Sequence, residues 1–353
     1  MVGIWFDIPG ARDRNVFTRT GIPFHQVTGV LDDYNNWQEI EEWLAATRVF
    51  SAISEARLGL MGHYYSGMLD IMTDITQLSI AYGSHVELVE VDELSALCAD
   101  VSEIAIEARV EQSHKVFDVQ PDCPEDELRR AACTSAVLDP FIVRHNLDGL
   151  ANYYKGSGNA ANEDTMSSII LGTSLLNAPH VPVEGEYEVK NAIAIKMMDT
   201  LGAGGSFTEY YAINYDNDVV LMGHDGPGHI AIAEGKTKVR PLRVYHCRVG
   251  RGLSVEMRVK CGPVTVLSVV EDSITRFKLI TAEGEFVTGE TLEIGNINSR
   301  YGCSRIRRSM ERPGARTPLR DWCGAFGPGP EKSCSVNGSR FLPSLLTDRL
   351  YQP

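Results

Sequence analysis

The feature that most limits what this chain can fold into is a change of rhythm near residue 205. From about 57 to 200, short apolar runs alternate with helix-length amphipathic stretches. Residues 57–62 read as a buried strand ending in glycine, 71–82 as a helix, and 85–91 (His-Val-Glu-Leu-Val-Glu-Val) as an alternating strand. Helical spacing returns over 92–110, in part of 125–148 and over 160–176. Strand–helix alternation of this kind favours a parallel sheet covered by helices. Beyond 205 the apolar runs shorten to 207–214, 219–223, 239–248, 253–259, 264–271, 276–283 and 291–295, broken by Gly, Pro and Asp-Asn. That pattern reads as antiparallel β structure. Ahead of both, Trp37, Ile40, Trp43, Leu44, Phe50 and Ile53 recur at the three-, four- and seven-residue spacings of one helical face, so 36–56 is expected to be a helix capped by Asn35 or Asn36.

The expected fold class is α/β: a parallel-sheet α/β middle domain followed by an antiparallel, β-rich C-terminal domain. The expected division is a short N-terminal piece and connecting helix over 1–45, the α/β domain over 46–215, the β-rich domain over 216–301, and an irregular tail over 302–353. No internal repeat is visible.

Charge and cysteine usage narrow the partners. The net charge of −14 argues against nucleic acid or an anionic membrane surface, because phosphate repulsion would go uncompensated. No run of about 18 apolar residues predicts a transmembrane helix. The opening Met1–Asp7 reaches an acid early and has no basic region, so it does not read as a signal peptide. The eight cysteines form no CxxC pair, and a reducing cytoplasm is the expected location.

Chemistry concentrates at the junction of the two patterns. Gly204–Tyr211 contains Glu209, Gly223–His229 contains His224, Asp225 and His229, and His246 follows. Three of the nine histidines thus fall within 23 residues, beside two acids. Carboxylate oxygen plus imidazole nitrogen suits a hard or borderline divalent cation. Local hydrogen bonding in a Gly/Pro-rich loop is the plainer alternative. Three other places carry weaker signals. The loop Lys155–Asn159 lacks a third glycine for a phosphate cradle. Glu184 and Glu186 precede a helix starting near Val189, as helix-end acids or as a wall of the same cleft. Arg57 and His63 bracket the 57–62 strand, in a fold where ligands collect at strand ends.

The runs Gly-Gly-Ser-Phe-Thr-Glu-Tyr-Tyr (204–211), Val-Leu-Met-Gly-His-Asp-Gly-Pro-Gly-His (220–229) and Glu-Ile-Gly-Asn-Ile-Asn-Ser-Arg-Tyr (293–301) resemble the L-arabinose/L-fucose isomerase superfamily. The segment 58–70 and the 36–56 helix are similar to the start of that family's middle domain, so the resemblance covers about 36–301. It implies carbohydrate metabolism: an intramolecular oxidoreductase that interconverts an aldose and a ketose through a cis-enediol, with a divalent metal, usually Mn²⁺. Carried over, Glu209 is a metal ligand and one acid/base carboxylate, and His246 is the first histidine ligand. The family's second acid falls on His229, a departure that leaves either His229 or Asp225 as the second catalytic group and His229 as a metal ligand. The implied partner is a small sugar; neither nucleic acid nor membrane is expected, and a homo-oligomer is left open. A non-catalytic sugar-binding protein and a degenerate, truncated product stay open as rival classes.

Two departures from the family are expected to matter. Set against the length of that family's members, most of an N-terminal α/β domain is expected to be missing from this sequence. The last stretch also changes character: residues 302–353 carry nine Lys+Arg, four Asp+Glu and six of the sixteen prolines, in a chain otherwise dominated by acids. The family ends in a segment like Gly-Pro-x-His-His-Cys-Ala-Ile-Gly-Val-Gly-His, which supplies the last metal histidine. The stretch Thr317–Phe326 can be encoded so that reading one base later gives His-His-Cys-Ala-Ile-Gly-Val-Gly-His. The tail from about 302 is therefore expected to be a frameshifted version of that segment.

Overall fold

The structure is a computed structural model that describes residues 10–21, 24–178, 181–243, 249–272, 274, 276–289, 304–308 and 334–337. Helix α1 (Gly10–Thr20) precedes α2 (Tyr34–Ser54), which begins slightly earlier than its apolar spacing predicts. Its N-cap is Asp33, whose side chain accepts from the Asn35 amide at 3.0 Å, so neither Asn35 nor Asn36 is the cap.

The α/β part then follows in strand–helix order: β1 (Arg57–Gly62), α3 (Ile75–Tyr82), β2 (His85–Val89), α4 (Val91–Asp100), α5 (Glu103–Val116), β3 (Asp118–Val119), α6 (Glu125–His145), β4 (Gly149–Tyr153), α7 (Ala160–Ser167), α8 (Ile170–Asn177), β5 (Val183–Glu184) and α9 (Val189–Thr200). Two expected helices are each divided in two. Ser102 leaves helical geometry and accepts from the Ala105 amide, which starts α5 as a separate helix. Ser168 bonds the carbonyls of Asp164 and Thr165 and the Thr134 hydroxyl, an alternative to the helical ladder that separates α7 from α8.

Strands β2, β1, β4 and β5 form a four-stranded sheet in that order, every pair parallel. Both faces are covered, as parallel sheets require. The two-residue pleat decides which side chain meets which layer. Leu58, Leu60, Ala151 and Tyr153 pack with Val49 and Ile53 of α2, Leu78 of α3 and Ile193 of α9. Met61, Leu150 and Val183 face the other way, onto Leu94 of α4, Leu138 and Phe141 of α6 and Met166 of α7. Each fully buried Leu or Phe contributes on the order of 1.5–3 kcal/mol of transfer free energy.

The second part holds β6 (Ser206–Asn214), β7 (Val219–Gly223), the 3₁₀ turn Ile230–Ile232, β8 (Lys238–Leu242), β9 (Gly252–Glu256), β10 (Gly262–Glu271), β11 (Phe277–Val287), β12 (Ser304–Arg308) and β13 (Cys334–Asn337). Six of these close an antiparallel barrel in the order β10-β11-β12-β7-β6-β13. Two short segments of the stretch expected to be irregular, 304–308 and 334–337, are therefore paired strands, and β12 lies between β11 and β7. The expected strand 291–295 lies outside the described residues.

Strands β8 and β9 do not join the barrel. They form a third sheet with β3, which pairs in parallel with β8. Val239, Leu253 and Val255 of this sheet pack on Val110, Phe117, Leu128 and Leu171 of the α/β part. The two parts also share α9, whose Ile193 and Met197 sit in one core with Leu267 and Val269 of β10 and Phe277 of β11. No described helix is long and apolar enough to cross a membrane.

Candidate active site

The carboxyl ends of β1, β4 and β5 point to the same edge of the parallel sheet, where open α/β folds bind ligands. The five residues Glu184–Glu188 leave β5 at this edge and lead into α9. Two consecutive non-glycine residues there, Glu186 (φ 59°) and Tyr187 (φ 69°), adopt left-handed backbone geometry. Such conformations cost on the order of 1–3 kcal/mol each and concentrate at functional loops.

Two acids of this loop, Glu184 and Glu188, are buried. Glu184 is fully buried; one of its oxygens accepts from the Gly185 amide at 2.7 Å, and the other has no hydrogen-bond partner among the described residues. Burial pushes its carboxyl well above the ordinary carboxylate range, and the negative charge of Glu186, Glu188 and Glu209 adds to the rise. Glu188 is pushed up to about 7 by burial, against the Lys190 ammonium 3.0 Å away.

The barrel supplies the facing wall. The β6–β7 register sets Glu209 opposite Gly223, so His224 emerges immediately beside the Glu209 carboxylate, with Nδ1 3.9 Å from Oε2. Both side chains are about nine-tenths buried. Burial works against a charge on His224, but Glu209 beside it outweighs that effect, and the imidazole is held above its ordinary pKa with Asp225 and Glu186 contributing. Phe207 packs edge-on against the His224 ring at 4.1 Å. On the other side His224 closes on the loop after β5, since a Cβ placed on Gly185 would stand 3.5 Å from Nε2. Glu184, Glu186, Glu209, His224 and Asp225 thus share one junction between sheet edge and barrel. Beside it, His224, Phe207, Thr208, Met222, Met257 and Phe286 line part of a small, open cleft.

His229 has a different neighbour. Its Nε2 lies 3.0 Å from Asp199 Oδ1 of α9, both side chains almost wholly buried, and Nδ1 has no hydrogen-bond partner among the described residues. The structure therefore brings Glu209 together with His224 and Asp225, and His229 together with Asp199. His246 lies outside the described residues. The expected trio of Glu209, His229 and His246 is thus described only in part, and the described contacts do not join Glu209 to His229. Carboxylates and an imidazole suit a divalent cation, and one oxygen of Glu184 has no hydrogen-bond partner among the described residues. Yet no three His, Cys, Asp or Glu side chains converge on one point among the described residues, so these residues alone do not complete a metal cage.

His224 belongs to the histidine cluster that the sequence marks as candidate cation ligands, but the family resemblance assigns it no role. Its signal is positional: it follows the last residue of a strand whose partner carries an acid, which becomes readable only once the hairpin register is known. The weaker candidates separate cleanly. Arg57 stands at the amino end of β1, paired with Glu87 at 2.7 Å, away from the site edge. In the loop after β4, the Gly158 amide already donates to Glu163 at 2.8 Å and Asn159 caps α7, so two of its anion-facing features are taken.

This is a carboxylate–imidazole site at the carboxyl edge of a layered α/β sheet, closed by a β-barrel. No family model matches the chain. Sulfoquinovose isomerase of Alkalicoccus urumqiensis is 24% identical to it over 265 residues, covering 70% of this chain. The chain spans 57% of that protein's length. This similarity supports a relationship to sugar isomerases.

Proposed function

We propose that the chain is an aldose–ketose sugar isomerase of the L-arabinose/L-fucose isomerase type, with Glu209 as its proton-carrying carboxylate. The observation that carries this reading is the buried Glu209–His224 pair facing the Glu184–Glu188 loop. The distant likeness to a sulfoquinovose isomerase supports the same class of reaction.

Isomerisation moves one proton from C2 of the open-chain aldose to C1, through a cis-enediol, while a proton passes from the C2 hydroxyl to the C1 oxygen. Glu209 takes the C2 proton, and His224 beside it stabilises the carboxylate form that does so. Asp225 is the second acid/base group, acting on the two oxygens. His229, held by Asp199, keeps the β7–β8 connection seated on α9. A divalent cation such as Mn²⁺, held by Glu209 with His246 as a further donor, would supply polarisation of the sugar oxygens.

The test incubates the purified chain and its Glu209→Gln variant, with and without Mn²⁺, with a panel of aldoses in D₂O. Sulfoquinovose enters the panel because the relative carries its name. The expected result is ketose formation with deuterium at C1, lowered at least about 100-fold by the substitution, the usual scale for removing an acid/base group. Equal deuterium wash-in for wild type and variant would overturn the role of Glu209. Loss of turnover on adding EDTA, restored by Mn²⁺, is the expected sign of the cation.

A further inference from the structure

The segment joining β1 to α3, residues 63–74, is long for a structureless connection, yet it is firmly anchored. The Lys190 ammonium reaches it from α9, donating to the carbonyl of Ile71 at 3.1 Å, the carbonyl of Asp70 at 3.3 Å and the hydroxyl of Thr73 at 2.9 Å. Lys190 and its partner Glu188 are almost wholly buried. The Tyr64 hydroxyl adds a second anchor, accepting from the Thr73 amide and donating to its carbonyl. A buried ion pair beneath an exposed loop is a costly way to hold backbone, unless the loop's upper surface has to keep its shape.

That upper surface is aromatic. Gly62 sits at φ 98°, and a Cβ there would stand 2.0 Å from the Tyr153 carbonyl, so only glycine lets β1 turn outward at this point. Beyond it, the His63 ring lies 5.5 Å from Tyr153 and 6.0 Å from Tyr154, and Tyr65 lies 5.1 Å from Tyr153. His63 is exposed, and Tyr65 and Tyr154 are half-buried. Their orientations are set: His63 Nδ1 is 3.1 Å from the Tyr64 carbonyl, its Nε2 accepts from the Lys155 amide at 3.4 Å, and the Tyr154 hydroxyl is 2.7 Å from that of Ser157. The patch borders the junction already described, because Tyr64 packs edge-on against Tyr187 of the Glu184–Glu188 loop at 4.7 Å.

We propose that His63, Tyr65 and Tyr154 form a stacking platform that captures the sugar as a closed pyranose ring, before the ring opens for proton transfer at Glu209. This rests on the isomerase reading above. One face of a pyranose is a patch of C–H bonds carrying slight positive charge, and it complements the negative face of an aromatic ring. The Ser157 hydroxyl and the exposed Lys155 ammonium at the rim meet the ring hydroxyls. An open-chain sugar presents no such flat face and gains little from the platform.

The probes are locked rings and their open-chain counterparts: methyl α-D-glucopyranoside, methyl α-L-fucopyranoside and methyl β-L-arabinopyranoside, against glucitol, fucitol and arabinitol. Binding is read by saturation-transfer NMR and by titration. At least one glycoside should bind, with the protons of one ring face shifted upfield by the aromatic rings. Tyr65→Ala and Tyr154→Ala should each weaken that binding about tenfold, while Tyr65→Phe, which keeps the ring and shows that the site still folds, retains it. Alditol binding should be unchanged by all three. Glycoside binding indifferent to both alanine variants overturns the platform, as does alditol binding without any glycoside binding, or no binding of either. A platform that behaves as expected in a chain that turns over no aldose overturns the isomerase reading and leaves the platform standing.

Discussion

The parallel sheet and the barrel divide the site between them in unlike ways. The sheet is enclosed by helices on both faces, and its two core layers draw on at least three helices each. The barrel has a small interior core of Val220, Met222, Val264, Val266, Ala282 and Phe286, and one of its walls opens onto the cleft. The sheet presents loops at one edge, carrying aromatic rings and buried acids. The barrel presents side chains directly from strands, Glu209 within β6 and His224 just past β7. A doubly covered sheet can hold strained loops at its edge because its own stability does not depend on them. A small barrel places groups through register instead.

The same substitution in both regions sharpens this difference most. Phe141→Ala removes a fully buried ring from the helix-covered layer and should cost about 4 kcal/mol in urea unfolding. Phe286→Ala removes a ring that lines the cleft, where water can fill the space, and should fall near the lower limit of about 3 kcal/mol. Equal losses would mean that the barrel is as closely packed as the layers.

The joint between the regions comes next. Asp199→Ala leaves His229 buried without its partner and should cost about 3 kcal/mol, with loss of amide protection in the 228–233 turn. Protection unchanged there would show that shared apolar packing, not the Asp199–His229 pair, holds the barrel to α9.

The smallest effects are pH responses of opposite sign. The carboxyl of Glu188 is raised to about 7, so its stabilising contribution is complete below the ordinary carboxylate range and is lost as pH climbs toward 7. Asp272, in the β10–β11 turn, is held well below its ordinary range by Lys278 and by the amides of Arg276 and Ile274. Its contribution is present above about pH 4 and is lost only on further acidification. Hydrogen exchange corrected for intrinsic rates should show the 184–190 segment tightening between pH 7 and 5 while the Ile274 and Arg276 amides stay unchanged. Glu188→Gln should abolish the first response, and a persistent response would assign it to the buried Glu184, whose carboxyl is also raised.

Much of the fold was legible because its signals are local. The Leu58–Gly62 run, the alternation of His85–Val89 and the spacing of the α2 apolar residues each report burial within a few residues. The helix breaks at Ser102 and Ser168 were less visible, because a serine inside a periodic stretch can cap, break or be tolerated. Similar limits apply to the site. Glu209 and the Glu184–Glu186 pair stand out by composition, whereas His224 and His229 are near neighbours in the chain with the same side chain and similar surroundings in glycine and proline.

Their different partners were settled in three dimensions. A hairpin register that sets Glu209 opposite Gly223 turns His224 toward the carboxylate, and a buried aspartate in the last turn of α9 captures His229. The pairing of β8 with β3, far apart in sequence, is another such decision. Residue order and periodicity determined which segments become strands and helices, and that acids and imidazoles would meet near the change of rhythm at 205. Tertiary structure decided which imidazole meets which acid, because strand register and burial join residues that share no local pattern.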